Sequence, residues 1–219
     1  MEFVIGGVSA LMDARFAAAA GTERVVLNPW VNQETSNRGT DLHANATRDP
    51  ESTQEEILKQ ALAVWNEIKT WVSGPEIWLS VPWPYLPLAL EAFDTFDDCC
   101  GILVTAVQSA APTVLQDPPF EIPQRIPYAV NYTPVTPGIT NTWTAQHSPD
   151  WVVIAPDSIQ TMPLNSDSLR YIRVETLDEV ITMHIRQGIP PVAGIYLQAD
   201  TAEATDYEVW QAIIDRICL

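Results

Sequence analysis

The chain has 219 residues, enough for one domain with a sizeable buried core. Hydrophobic residues make up 47% and charged residues 18%, a balance that excludes a disordered chain. Acidic residues outnumber basic ones 28 to 11, for a formal charge of −17. That field repels phosphate backbones and anionic bilayers, so neither nucleic acid nor a membrane surface is expected as a partner.

Met1–Ala20 carries an apolar stretch and an alanine run, but Glu2, Asp13 and Arg15 interrupt it and no basic segment precedes it. It is not expected to be a secretory leader, and the expected location is cytoplasmic. No apolar run approaches the ~20 residues that cross a bilayer. Cys99, Cys100 and Cys218 make neither a metal-ligand spacing nor a disulfide framework. The adjacent pair reads as buried thiols on opposite sides of a strand start.

Phe3–Val8 opens the chain as an apolar strand. Ser9 is placed to cap a helix running to Ala20, with Gly21 just past its end. Val25–Asn28 is the second strand, followed by a long polar segment, Val31–Glu51. Ser52 with Glu55, or Thr53 with Glu56, makes a capping box for the next helix. In that helix Ile57, Ala61, Val64, Trp65, Ile68 and Val72 recur at helical spacing until Gly74-Pro75 stops it. Ile77–Val81 is the third strand and Leu86–Phe96 its helix. Gly101–Thr105, Tyr128–Asn131 and Trp151–Ile154 are the next strands. The segments 107–125 and 133–149 between them are rich in Pro, Thr and Gln and predict weak or shortened helices. Tyr171–Val174, a helix from Thr176 to Gly188, Gly194–Leu197 and a helix over Tyr207–Ile217 complete the chain.

The strand segments are nearly continuous in Val, Ile, Leu and aromatics, the pattern of strands buried on both faces in a parallel sheet. Eight of them alternating with helices predict a single (β/α)8 TIM barrel over residues 1–219, with an open doubly wound sheet as the alternative. Gly6-Gly7 lies within the first strand rather than after it, so no dinucleotide loop is present, and there is no Walker loop. No cofactor is expected.

The opening resembles phosphoribosylanthranilate isomerase, a small barrel enzyme of tryptophan synthesis. That family begins with a strand reading roughly Lys-Ile-Cys-Gly-Ile-Thr, then a helix containing Asp-Ala and ending in an Ala-rich turn with Gly. Here Val4-Ile5-Gly6-Gly7-Val8-Ser9 runs into Asp13-Ala14 and on to Ala20-Gly21 before Val25-Val26-Leu27. The resemblance implies proton transfer between a Cys ending strand one and an Asp ending strand six. Gly6 stands in the place of that Cys, whereas Asp157 stands in the place of the acid. Half of a proton-transfer pair does not run the same chemistry. The Gly-rich phosphate loops that the resemblance implies after strands seven and eight read instead Val174-Glu175-Thr176 and Gln198-Ala199-Asp200, with Glu203 nearby. Each carboxylate there disfavours a phosphate by roughly 1 kcal/mol or more. Phosphoribosylanthranilate isomerase activity itself is therefore not expected.

In such barrels chemistry sits at the C-terminal ends of the strands. Those ends supply Ser9, Asn28, Ser80, Thr105, Asn131, Asp157, Glu175 and Gln198, with Trp30, Trp83, Tyr85 and Tyr132 just beyond. Asp157 and Glu175, from adjacent strands, are the candidate catalytic acid and base, each with helix capping as its structural alternative. Arg173 shares a strand face with Glu175 and either neutralises it or binds a ligand. The aromatic rim, Trp30, Trp83 and Tyr132, suits stacking on a sugar or a flat ring, or else packing beside Pro29, Pro82 and Pro84. In the 31–51 segment His43 is the one histidine placed to reach the site, and no metal site is expected. Two functions follow. One is a small-molecule enzyme or binder of isomerase or lyase type. The other is a catalytically silent barrel that acts as an interaction or assembly module, with a homo-oligomer or a protein partner.

Overall fold

Strands that are apolar on both faces need cover on both, and the chain supplies it by closing on itself. In a computed structural model, which describes residues 2–30, 54–82, 85–105, 122–132, 149–154, 169–174, 192–198 and 207–218, eight parallel strands pair in chain order into a closed barrel. They are β1 Glu2–Val8, β2 Arg24–Leu27, β3 Glu76–Pro82, β4 Cys99–Thr105, β5 Tyr128–Tyr132, β6 Trp151–Ile154, β7 Leu169–Val174 and β8 Gly194–Gln198. β8 pairs back onto β1, from Glu2↔Gly194 to Gly6↔Gln198, and this closure excludes an open sheet. Among the described residues the α-helices are α1 Leu11–Ala20, α2 Gln54–Lys69, α3 Leu86–Glu91 and α4 Tyr207–Cys218. None of them is long and apolar enough to cross a membrane.

Besides the one-residue extension of α4 to Cys218, three helix boundaries differ from the sequence reading. The residue before α1 is Ala10, with no side-chain cap, so Ser9 lies one residue too early to cap it. Gly21 does end α1 in the left-handed conformation, at φ 71°, which a glycine adopts without strain. α2 stops at Lys69 rather than Val72. There the Thr70 hydroxyl donates to Glu67 O (2.8 Å), and the Val72 amide reaches back only to Lys69 O, a tighter turn. The helix read over Leu86–Phe96 breaks after Glu91 into a 3-10 turn, Phe93–Thr95, where the Thr95 hydroxyl donates to Ala92 O at 2.6 Å. The capping-box residues Ser52 and Thr53, most of 107–125 and 133–149, and the helix read from Thr176 lie outside the described residues.

Two cores result from the strand alternation. Phe3, Ile5, Val25, Leu27, Leu79, Val81, Ile102, Val104, Ile172 and Leu197 face outward and meet the helices through Ala14, Ala17, Trp65, Ile68 and Trp210. Val4, Val26, Trp78, Leu103, Ala129, Trp151, Val153, Tyr171 and Tyr196 fill the barrel interior. Aromatic rings of this size fit because glycine stands opposite them. A Cβ on Gly101 would lie 2.6 Å from the Trp78 ring, and Trp151 packs edge-on against both Trp78 and Tyr171.

The adjacent cysteines behave unlike the expected buried pair. Both lie within β4, where the β3 register slips between Ile77↔Cys99 and Trp78↔Gly101. Cys99 is half-buried and burial pushes its thiol up to about 12, whereas Cys100 is exposed. The slip turns one of the two outward.

Candidate functional site

The register that fills the interior also fixes which polar side chains reach its C-terminal end. Trp78 pairs with Gly101, Ser80 with Leu103 and Thr105 with Asn131, so Ser80, Thr105 and Asn131 share the inward face. Arg173 lies beside Tyr196 and Gln198 beside Gly6, on the same face of β7 and β8. The alternation that turns Arg24 and Val26 inward continues to Asn28. Asn28, Ser80, Thr105, Asn131, Arg173 and Gln198 therefore form a polar layer above an apolar interior. Asn28, Ser80 and Asn131 are only 7%, 5% and 9% exposed. Ser9 is partly exposed just past the end of β1.

Two members of the predicted ring are engaged in holding the chain. Asn28 Oδ1 accepts from the Trp30 amide (3.3 Å), an i to i+2 turn, and the Asn28 amide donates to Val8 O at 2.7 Å. Trp30 is not an open rim residue. It is 0% exposed, its Nε1 donates to Ser80 O (2.7 Å), and its ring stacks on Tyr85 at 5.2 Å and tilts against Phe96. The chain turns outward after Asn28-Pro29 and carries the indole into the layer between barrel and helices. Asn131 is different: its Oδ1 is buried and has no hydrogen-bond partner among the described residues.

Tyr196, buried in the barrel interior as a tyrosine in an apolar run predicts, reaches up to the base of this layer. The strand alternation already placed it on the face of Gln198. Its hydroxyl end lies over Cα of Gly6, in the space a side chain at residue 6 would take. Burial raises its pKa and the nearby Arg173 charge opposes that rise, so the phenol stays protonated. Asp157, Glu175, Trp83 and the 31–51 segment with His43 lie outside the described residues, as does the side chain of Tyr132. Among the described residues no group of His, Cys, Asp and Glu is placed to hold a metal.

A closed ring of eight parallel strands, with a layer of inward polar side chains at their C-terminal ends, defines the (β/α)8 barrel class. No family model and no curated protein matches the sequence. Solved structures do. Phosphoribosylanthranilate isomerase from Thermus thermophilus matches with a TM-score of 0.57 at 12% identity, over 100% of this chain and 98% of that one. Orotidine 5'-phosphate decarboxylase from Pyrococcus horikoshii OT3 matches with 0.56 at 12%, over 99% of each chain. Tryptophan synthase from M. tuberculosis matches with 0.52 at 15%, over 99% of this chain and 88% of that one. At these identities the likeness is one of fold. It agrees with the remote resemblance to phosphoribosylanthranilate isomerase carried by the first thirty residues.

Proposed function

We propose that the protein is a small-molecule enzyme or binder working at the C-terminal mouth of the barrel, with Asp157 and Glu175 as its acid–base carboxylates and chemistry of isomerase or lyase type. The observation that carries this reading is the buried polar layer, above all the Asn131 Oδ1 without a partner among the described residues. An unsatisfied buried polar atom costs about 1–3 kcal/mol, so apolar filling would make a more stable barrel. Proteins keep such costs where a ligand completes the hydrogen bond. In the sequence Asp157 comes three residues after β6 and Glu175 one residue after β7, and these two strands pair directly; two carboxylates held close together push their pKa values apart.

Asn131→Val tests the reading without knowledge of the ligand. If Asn131 serves a site, an apolar side chain of similar size raises the melting temperature. If the variant melts lower, Asn131 is a structural hydrogen-bonder and the reading loses its basis. Asp157→Asn is expected to abolish activity or ligand binding at an unchanged melting temperature; a loss of stability instead assigns Asp157 to helix capping.

One observation favours a second reading, the catalytically silent barrel. The Tyr196 phenol takes the space above Gly6, the position that the resemblance gives to the general base. An oligomer or a stable partner is then expected, and strictly monomeric light scattering with no partner in pull-downs counts against it. On either reading, rescue of a tryptophan auxotroph lacking phosphoribosylanthranilate isomerase would overturn the expectation that this activity is absent.

A further inference from the structure

Met12, Arg15 and Ala19 recur along one side of α1, and all three are exposed. Asp13, the one acidic residue of that helix, is turned inward, so the outer face of α1 carries no carboxylate. α1 packs against α2, and Trp71, just past the end of α2, stands beside this face with the Arg15 guanidinium over its ring at 4.1 Å. Val64 and Glu67 precede Trp71 at helical spacing and share its side of α2, whereas Lys69 turns the other way, to Asp97 and Asp98. Met12 and Trp71 are 57% and 46% exposed, two of the four exposed large apolar side chains among the described residues. Among those residues neither Arg15 nor Glu67 makes an ion pair.

We propose that this face of α1 and α2 binds a second copy of the chain across a two-fold axis. Met12 and Trp71 form its centre, and Arg15 of each copy meets the partner's Glu67. In a two-fold contact one surface meets itself, so its charges must match in opposite pairs, and Arg15 and Glu67 supply one of each sign. A second copy carries the same formal charge of −17 and is repelled where carboxylates dominate, as at the exposed Asp94, Asp97 and Asp98. A basic protein would be drawn to those carboxylates instead. The balanced, partly apolar face is where like-charged copies can approach. Stable interfaces use about 20–30 residues a side, more than these two stripes supply, so the dimer is weak and concentration-dependent. The proposal gives the second reading above a definite partner and does not depend on the mouth being silent.

Sedimentation of the wild-type chain from about 1 μM to about 1 mM, in about 0.15 M salt, tests it. The mass is expected to rise from one chain to two. Trp71→Glu and Arg15→Glu are each expected to weaken the dimer at least tenfold, with circular dichroism showing that both variants fold. The charge swap Arg15→Glu/Glu67→Arg is expected to restore most of the wild-type affinity, which a loss of folding or of apolar area alone would not allow. A chain that stays monomeric throughout overturns the proposal, as does a dimer indifferent to Arg15→Glu or a swap that restores nothing. A monomer that retains a different protein in pull-downs overturns it too, while leaving the assembly reading in place.

Discussion

The hydroxyl end of Tyr196 lies against Gly6 so closely that any side chain at residue 6 would fall within the phenol. The ring carbon Cε2 alone stands 2.6 Å from where a Cβ would be. Gly6 is therefore the complement of an aromatic floor, as Gly101 is of Trp78, and its role is larger than a missing catalytic side chain. Gly6→Ala overpacks the interior and is expected to cost about 1–3 kcal/mol in urea denaturation. Tyr196→Leu should relieve the clash. The double variant Gly6→Ala/Tyr196→Leu is expected to lose less than the sum of the two single losses, by about 0.5–3 kcal/mol. Strict additivity would mean that the two positions do not constrain each other.

Trp30 tests whether the turn after β2 is structural. Its indole N–H is spent on Ser80 O at 2.7 Å, inside a fully buried stack with Tyr85. Trp30→Phe keeps most of the ring and strands the Ser80 carbonyl, so a loss of about 1–3 kcal/mol is expected. A variant of wild-type stability would return Trp30 to the mouth of the site.

The strands were legible because strands buried on both faces read as unbroken apolar runs, and their observed ends differ from the read ones by at most two residues. What escaped is polar and inward. Glu2, Arg24 and Glu76 start their strands and point into the barrel, but a charge at a strand end reads as solvent-facing until the ring closes around it. In the site, alternation within a strand was enough to bring Asn131, Arg173 and Gln198 to one layer. It could not show that the chain swings outward after Asn28-Pro29 and buries Trp30. Nor could it show that Tyr196 leans over Gly6, which depends on a pairing between the first strand and the last.

The N-terminal end of the barrel is closed by charge. Glu2 Oε2 accepts from Arg24 Nη1 (3.0 Å) and from the Tyr171 hydroxyl, and Arg24 Nε donates to Glu76 Oε2 at 2.8 Å. The Tyr171 hydrogen bond and then Arg24 hold the Glu2 carboxyl below its ordinary value of 4.5, while burial pushes the other way. A carboxyl held low in the folded state favours folding while it is ionised. Its contribution is complete above 4.5 and disappears as pH falls through the lower folded value. With the two carboxylates 41% and 52% exposed, solvent limits the effect to about 1 kcal/mol or less. Melting curves of the wild type and Glu2→Gln should differ at neutral pH and converge as pH falls well below 4.5. A difference that persists unchanged into acid would remove Glu2 from this network.

The seam where β8 meets β1 is clasped from outside by the helices that follow those two strands. Tyr207, at the start of α4, donates its hydroxyl to Asp13 Oδ1 of α1 at 2.8 Å, and Asp13 is only 5% exposed. Around that bond Phe16 stacks on Tyr207 at 5.2 Å and tilts against Trp210 at 5.5 Å. A carboxylate so far from water depends on each of its donors, and hydrogen bonds to charged groups contribute about 1.5–3 kcal/mol. Tyr207→Phe keeps the stack and removes the donor, so a loss of that size is expected. Because α4 is tied to the barrel through this contact, its amides should lose hydrogen-exchange protection more than those of α2. If both helices lose protection equally, α4 is held by its apolar face, through Trp210, Ile213 and Ile214, and the Asp13 bond adds nothing to the closure.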